Sequence, residues 1–98
     1  MSKGSRRRLP LDGEAAETIA LQGLAFLASD PGRLAHFLSL TGLALEDVRG
    51  RAAAPEVLTA VLSHLTADES LLLTFAAEAH VAPDAIAPAL TLLQEQAE

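Results

Sequence analysis

Helix start and stop signals recur at short intervals along this chain, between segments rich in leucine and alanine. Asp12 precedes the first apolar segment, and Asp30-Pro31 separates the first from the second. Aspartate is a favoured N-cap, and proline suits the first helical turn. Gly42 follows the second segment, as expected of a left-handed helix stop, while Pro55 and Pro83-Asp84 start later segments. A chain divided in this way predicts several short helices.

The apolar residues within these segments recur at spacings of three and four, which is the helical period, and no strand-like alternation is present. The sequence therefore predicts an all-α fold, a compact bundle of about six short helices in one domain. The three aromatic residues, Phe26, Phe37 and Phe75, fall on inward faces. The expected inward positions of the later helices are Leu45, Val48, Leu58, Val61, Leu62, Leu65, Leu71, Leu72, Ala76, Ala79, Ile86, Ala89, Leu90 and Leu93.

Two local patterns give sharper expectations. Thr66-Ala67-Asp68-Glu69 fits a capping box, in which the Thr66 hydroxyl accepts from the Glu69 N–H and Glu69 reaches back. Pro88 lies inside the last apolar segment, where it removes a helical hydrogen bond. We therefore expect a kink there, or a helix start delayed to that residue.

Composition divides the chain into three parts. We expect residues 1–11 to be a disordered basic arm, residues 12–94 to form the domain, and residues 95–98 to fray. The chain has no cysteine, which excludes disulfides and thiolate chemistry. No apolar h-region follows the basic start, and no apolar run approaches the roughly 20 residues that span a bilayer. These features predict a cytoplasmic protein.

Charge is distributed unevenly along the sequence. Lys3, Arg6, Arg7 and Arg8 are four of the seven basic residues, whereas all thirteen acidic residues lie beyond them. An acidic domain is a poor binder of phosphate backbones, and no spare aromatic residue is available to stack on bases. We therefore expect no nucleic-acid partner except through these four residues of the arm.

The residue types that carry chemistry do not cluster along the sequence. His36, His64 and His80 lie on different predicted helices, and His64 and Asp68 straddle the predicted break at Thr66. A zinc site needs three or four ligands, and spacing supplies no third. No nucleophile elbow or glycine-rich phosphate loop is present. We therefore predict no catalytic, cofactor-binding or metal-binding residues, and a protein that is not an enzyme.

Apolar surface is more abundant than a monomer of this size needs. Leu71-Leu72-Leu73 places three leucines in succession on the fifth helix, and residues 24–27 are all apolar. Such helices are either central and covered on all sides, or they leave an exposed patch that binds a partner. The candidate interaction surface comprises these leucines and a polar rim: Leu71, Leu72, Leu73, Arg33, Asp47, Arg49, Asp68 and Glu69.

The sequence also resembles a known family. The run Ala20–Ala28, the pair Asp30-Pro31, the stretch Phe37–Leu43 and the later run Asp68–Ala76 together are similar to the domain-of-unknown-function 3572 family of short alphaproteobacterial helical proteins. The similarity extends over nearly the whole chain after Glu14. It implies an all-α cytoplasmic protein and supplies no catalytic residue.

Three functional hypotheses follow from these observations. The first is a non-enzymatic helical module that binds a protein partner or itself. The second is a nucleic-acid accessory protein that uses Lys3 and Arg6–Arg8. The third is a small enzyme whose site requires the fold to bring a histidine and an acid together in a pocket.

Overall fold

The computed structural model describes residues 11–97, with side chains up to Gln96. Residues 1–10 of the predicted arm, which include all four of its basic residues, lie outside the described residues. Six α-helices follow one another: α1 (Gly13–Ala28), α2 (Pro31–Thr41), α3 (Leu45–Gly50), α4 (Pro55–Thr66), α5 (Glu69–Ala79) and α6 (Ile86–Ala97). A 3₁₀ turn, Pro83–Ala85, precedes α6. No strand occurs between residues 11 and 97. The prediction of an all-α bundle of six short helices is confirmed.

The helix caps explain why α1 and α2 begin and end where they do. The Asp12 carboxylate accepts a hydrogen bond from the Ala15 N–H at 2.9 Å, and the Asp30 carboxylate accepts one from the Arg33 N–H at 2.9 Å. Each bond satisfies an N–H that has no partner within the helix. Gly42 ends α2 with φ +78°, and its N–H bonds to the Leu38 carbonyl at 2.9 Å. These caps match the sequence prediction.

The predicted capping box at Thr66 is wrong. Asp68 is the N-cap of α5, because its extended backbone lets its carboxylate accept from the Leu71 N–H at 3.2 Å. Thr66 is instead the last residue of α4, and its hydroxyl donates to the Ser63 carbonyl at 3.0 Å. An N-cap needs non-helical backbone angles, and Thr66 is still helical.

The last helix starts later than Pro83, but not at Pro88. The chain makes a 3₁₀ turn from Pro83 to Ala85, and the α-helix begins at Ile86. Pro88 then falls in the first turn of α6, where an N–H has no partner within the helix, so its missing donor costs little. The helix continues to Ala97.

Helices α1, α4 and α6 pack against one another and form the centre of the molecule. Gly23 of α1 is buried where the helix meets α4: a Cβ there would lie 2.9 Å from Val61 Cγ1 and 3.0 Å from Leu65 Cδ1. The absent side chain lets the two helices approach closely. The buried residues of the three central helices are Ala16, Ala20, Gly23, Leu24, Phe26, Leu27, Val57, Leu58, Val61, Leu62, Leu65, Ile86, Ala89 and Leu93.

Helices α2, α3 and α5 lie outside this central group, and each is anchored by one or two buried residues. Phe37 anchors α2, Val48 anchors α3, and Phe75 with Ala76 anchors α5. All three aromatic residues are buried, as predicted. Within residues 11–97 we find no helix with the length and hydropathy needed to cross a membrane.

Candidate functional site

The residues of the predicted interaction surface lie on three helices and their caps. On α5, Leu73 is 47% exposed, whereas Leu71 and Leu72 are half-buried and pack against the core. Asp68 caps this helix, and Glu69 is exposed in its first turn. Leu73 is therefore the member of the leucine triplet that faces solvent most.

The polar residues on α2 and α3 have local roles. Arg33 of α2 is half-buried, and its guanidinium lies 4.2 Å from the centroid of the Phe26 ring on α1. On α3, the Asp47 carboxylate accepts from the Ala44 N–H at 3.1 Å, and Arg49 is exposed. Arg33 and Asp47 are thus engaged within the fold, and Arg49 is the residue of this group that is fully available to a partner.

Exposed leucines also occur outside the predicted surface. Leu40 near the end of α2 is 65% exposed, and Leu45 at the start of α3 and Leu21 on α1 are each 41% exposed. Together with Leu73 these make four exposed leucines, and three of them, Leu40, Leu45 and Leu73, lie on the outer helices. The prediction that Leu45 faces inward is wrong, because α3 is a short helix that buries only Val48 and leaves its first residue partly exposed.

A pair of histidines, His36 on α2 and His64 on α4, meets where the two helices pack. Their ring centroids are 5.8 Å apart with an interplanar angle of 61°. The Phe37 ring packs edge-on against His64 at 5.2 Å. Burial lowers the pKa of the His64 imidazole, the neighbouring His36 lowers it further, and the Asp68 carboxylate partly opposes this change. His80 takes no part in the pair, since it ends α5 in the left-handed conformation with φ +57°.

Sequence reasoning missed the histidine pair. It compared His64 with Asp68, because both lie in one stretch of sequence, and it left His36 unassigned. A weak signal is present: each histidine directly precedes a fully buried residue, Phe37 or Leu65. That pattern places both imidazoles at the edge of the core, but it does not show that α2 and α4 are neighbours.

Two of the open grooves formed by residues 11–97 lie between helices. One, of about 650 Å³, separates α4 from α6 and is lined by Pro55, Glu56, Thr59, Ala60, Ser63 and Gln96. The Thr59 hydroxyl is buried at its edge and has no hydrogen-bond partner within the described structure. The other, of about 320 Å³, lies between α1 and α5 above the tilted pair of Phe26 and Phe75. Neither groove is lined by a histidine.

Across the described residues, no group of three or more histidines and acidic residues is arranged to hold a metal ion.

Comparison with known proteins identifies a family and no characterised relative. No curated protein and no solved structure matches the chain. The family model described as "Protein of unknown function (DUF3572)" matches residues 13–96, from the first residue of α1 to the last but one of α6. The chain belongs to the DUF3572 family.

Proposed function

We propose that this protein is a non-enzymatic interaction module of the cytoplasm, which binds a protein partner through its outer helices. The observation that carries the proposal is the exposure of Leu40, Leu45 and Leu73 on α2, α3 and α5. Fully burying an exposed leucine side chain is worth about 1.5–3 kcal/mol. These three are 41–65% exposed, so a partner that covers them would gain about half of that value from each.

Charge supports a partner with a basic surface. The chain has thirteen acidic residues, and the one ion pair within residues 11–97 joins Arg51 to Glu56, both of them exposed. Residues 11–97 carry twelve acidic side chains against three arginines, so the surface they form is predominantly negative. Long-range attraction between surfaces of opposite charge speeds association and selects among partners.

The test is capture of a partner followed by reconstitution. The tagged protein is crosslinked in its native cytoplasm and purified, and any specific partner is then tested for direct binding with both proteins pure. Leu40→Asp and Leu73→Asp are the informative variants, since both side chains are exposed and their change leaves the core intact. Ala87→Asp on the exposed face of α6 is the matched control for added charge.

The proposal expects the purified partner to bind the wild-type protein and the Ala87→Asp control equally. Binding should weaken at least tenfold in Leu40→Asp or Leu73→Asp, with folding verified by circular dichroism. Recovery of the tagged protein alone, running as a monomer, would contradict the proposal. So would a partner that binds all of the variants with one affinity.

A further inference from the structure

The histidine pair has a separation suited to metal binding. His36 and His64 come from two different helices, and their ring centroids are 5.8 Å apart. Two imidazoles that share one Zn²⁺ ion, each bonded at about 2.0–2.1 Å, have ring centroids about 4.5–6.3 Å apart, depending on the angle at the metal. The observed separation falls within this span, so it is compatible with one ion shared by the two rings.

The surroundings of the pair favour a bound cation. His36 is exposed, which leaves a path for the ion, whereas His64 is half-buried against Phe37. Half-burial favours the neutral imidazole, which is the form that coordinates a metal. The Asp68 carboxylate acts electrostatically on His64 and adds negative charge beside the site. Its capping bond to the Leu71 N–H holds this carboxylate in place.

We infer that His36 and His64 together bind a late first-row divalent cation such as Zn²⁺, through one nitrogen each. Water fills the remaining coordination positions, because the described residues place no third protein ligand with the two histidines. Imidazole nitrogen is a preferred ligand of Zn²⁺, Cu²⁺ and Ni²⁺. The bound ion joins the outer helix α2 to the central helix α4. It therefore stabilises the folded protein by an amount that grows with the logarithm of the ratio of the free Zn²⁺ concentration to Kd.

The experiment uses the full chain, stripped of metal with a chelator and titrated with zinc chloride in a non-coordinating buffer. Calorimetry gives the affinity and stoichiometry, and nitrogen-detected imidazole spectra report each histidine separately. The variants are His36→Ala, which removes an exposed side chain, and His64→Gln. His80→Asn is the matched control: it removes the third imidazole of the chain, and asparagine tolerates the left-handed backbone of that position.

One equivalent of Zn²⁺ should shift the imidazole signals of His36 and His64 and leave that of His80 unchanged. The affinity should fall at least tenfold in His36→Ala and His64→Gln and stay unchanged in His80→Asn. Saturating Zn²⁺ should raise the midpoint of thermal unfolding of the wild-type protein by at least about 5 °C. If His64→Gln does not fold, His36→Ala and the imidazole spectra still decide the question.

Equal affinity in the wild-type protein and in His36→Ala would overturn the inference. Shifts of all three histidines together would do the same, since they would show adventitious binding to surface side chains. A further variant, Asp68→Asn, tests the electrostatic contribution. Asparagine is an equally good N-cap, so this change removes the negative charge and retains the cap. The affinity for Zn²⁺ should then fall a few-fold.

Discussion

The central helices and the outer helices of this bundle are built differently. Helices α1, α4 and α6 meet through small or branched aliphatic side chains, and Gly23 lets α1 lie directly against Val61 and Leu65. The outer helices α2, α3 and α5 each contribute only one or two buried residues, and the other apolar side chains that α2 and α5 pack against the core are partly exposed. Their polar contacts, such as Arg33 on Phe26 and His36 beside His64, lie at the edge of the core.

This difference separates stability from binding. Apolar burial is concentrated in the centre, and removing buried groups there leaves cavities that the surrounding helices cannot close. Three of the four exposed leucines lie on the outer helices. The histidine pair lies where the outer helix α2 meets α4, and neither histidine is fully buried. Changes to the centre should therefore alter folding, and changes to the outer surface should alter binding with little effect on stability.

The strongest test of the comparison is one change, leucine to alanine, made in both regions. Leu62 on α4 is fully buried, so Leu62→Ala should lower the free energy of unfolding by about 2–5 kcal/mol. Leu73 on α5 is 47% exposed, so Leu73→Ala should change the free energy of unfolding by no more than about 0.5 kcal/mol. Urea denaturation of both variants measures the difference. Similar losses in the two variants would show that the outer surface is part of the core.

Glycine-to-alanine changes test the close approach of α1 and α4. Gly23→Ala places a methyl group against the side chains of Val61 and Leu65, and overpacking of this kind costs about 1–3 kcal/mol. Gly50 at the end of α3 has open space around it, so Gly50→Ala should be neutral or stabilise the protein by up to about 1 kcal/mol. The midpoint temperature of thermal unfolding should therefore fall in Gly23→Ala and stay the same or rise in Gly50→Ala. A stabilised Gly23→Ala would mean that α1 and α4 are packed more loosely than described.

The sequence predicted those features that depend on local chemistry. Asp12, Asp30 and Gly42 cap helices as expected, because a cap involves only residues within one turn. The histidine pair was missed because it depends on how α2 packs against α4, which no local pattern determines. The contact between Arg33 and Phe26 was missed for the same reason. The sequence analysis placed Arg33 on a rim that faces a partner, although its guanidinium covers an aromatic ring of its own chain.

The N-cap predicted for α5 is Thr66, two residues before the observed N-cap Asp68, and mutation separates the two assignments. Asp68→Ala removes the carboxylate that accepts from the Leu71 N–H, and loss of such a cap costs about 1 kcal/mol. Thr66→Ala removes only a hydroxyl that donates to a carbonyl within α4, so its effect should be smaller than about 0.5 kcal/mol. Chemical denaturation compares the two variants. A larger loss for Thr66→Ala would restore the capping box.

The smallest expected effect concerns the attachment of α2 to α1. Arg33→Ala removes the guanidinium over the Phe26 ring, and a cation–π contact of this exposure is worth about 0.5–1 kcal/mol. Arg49→Ala is the matched control, because Arg49 is exposed near the end of α3 and contributes at most a few tenths of a kcal/mol through the helix dipole.

Urea denaturation at moderate salt should resolve the two arginine variants. Arg33→Ala should lose more stability than Arg49→Ala, since the Arg33 side chain packs on the Phe26 ring within the fold. Equal stability of the two variants would show that the contact with Phe26 contributes nothing to attaching α2. Arg33 would then be available to a partner, and the outer surface of the bundle would extend across α2 to the edge of α1.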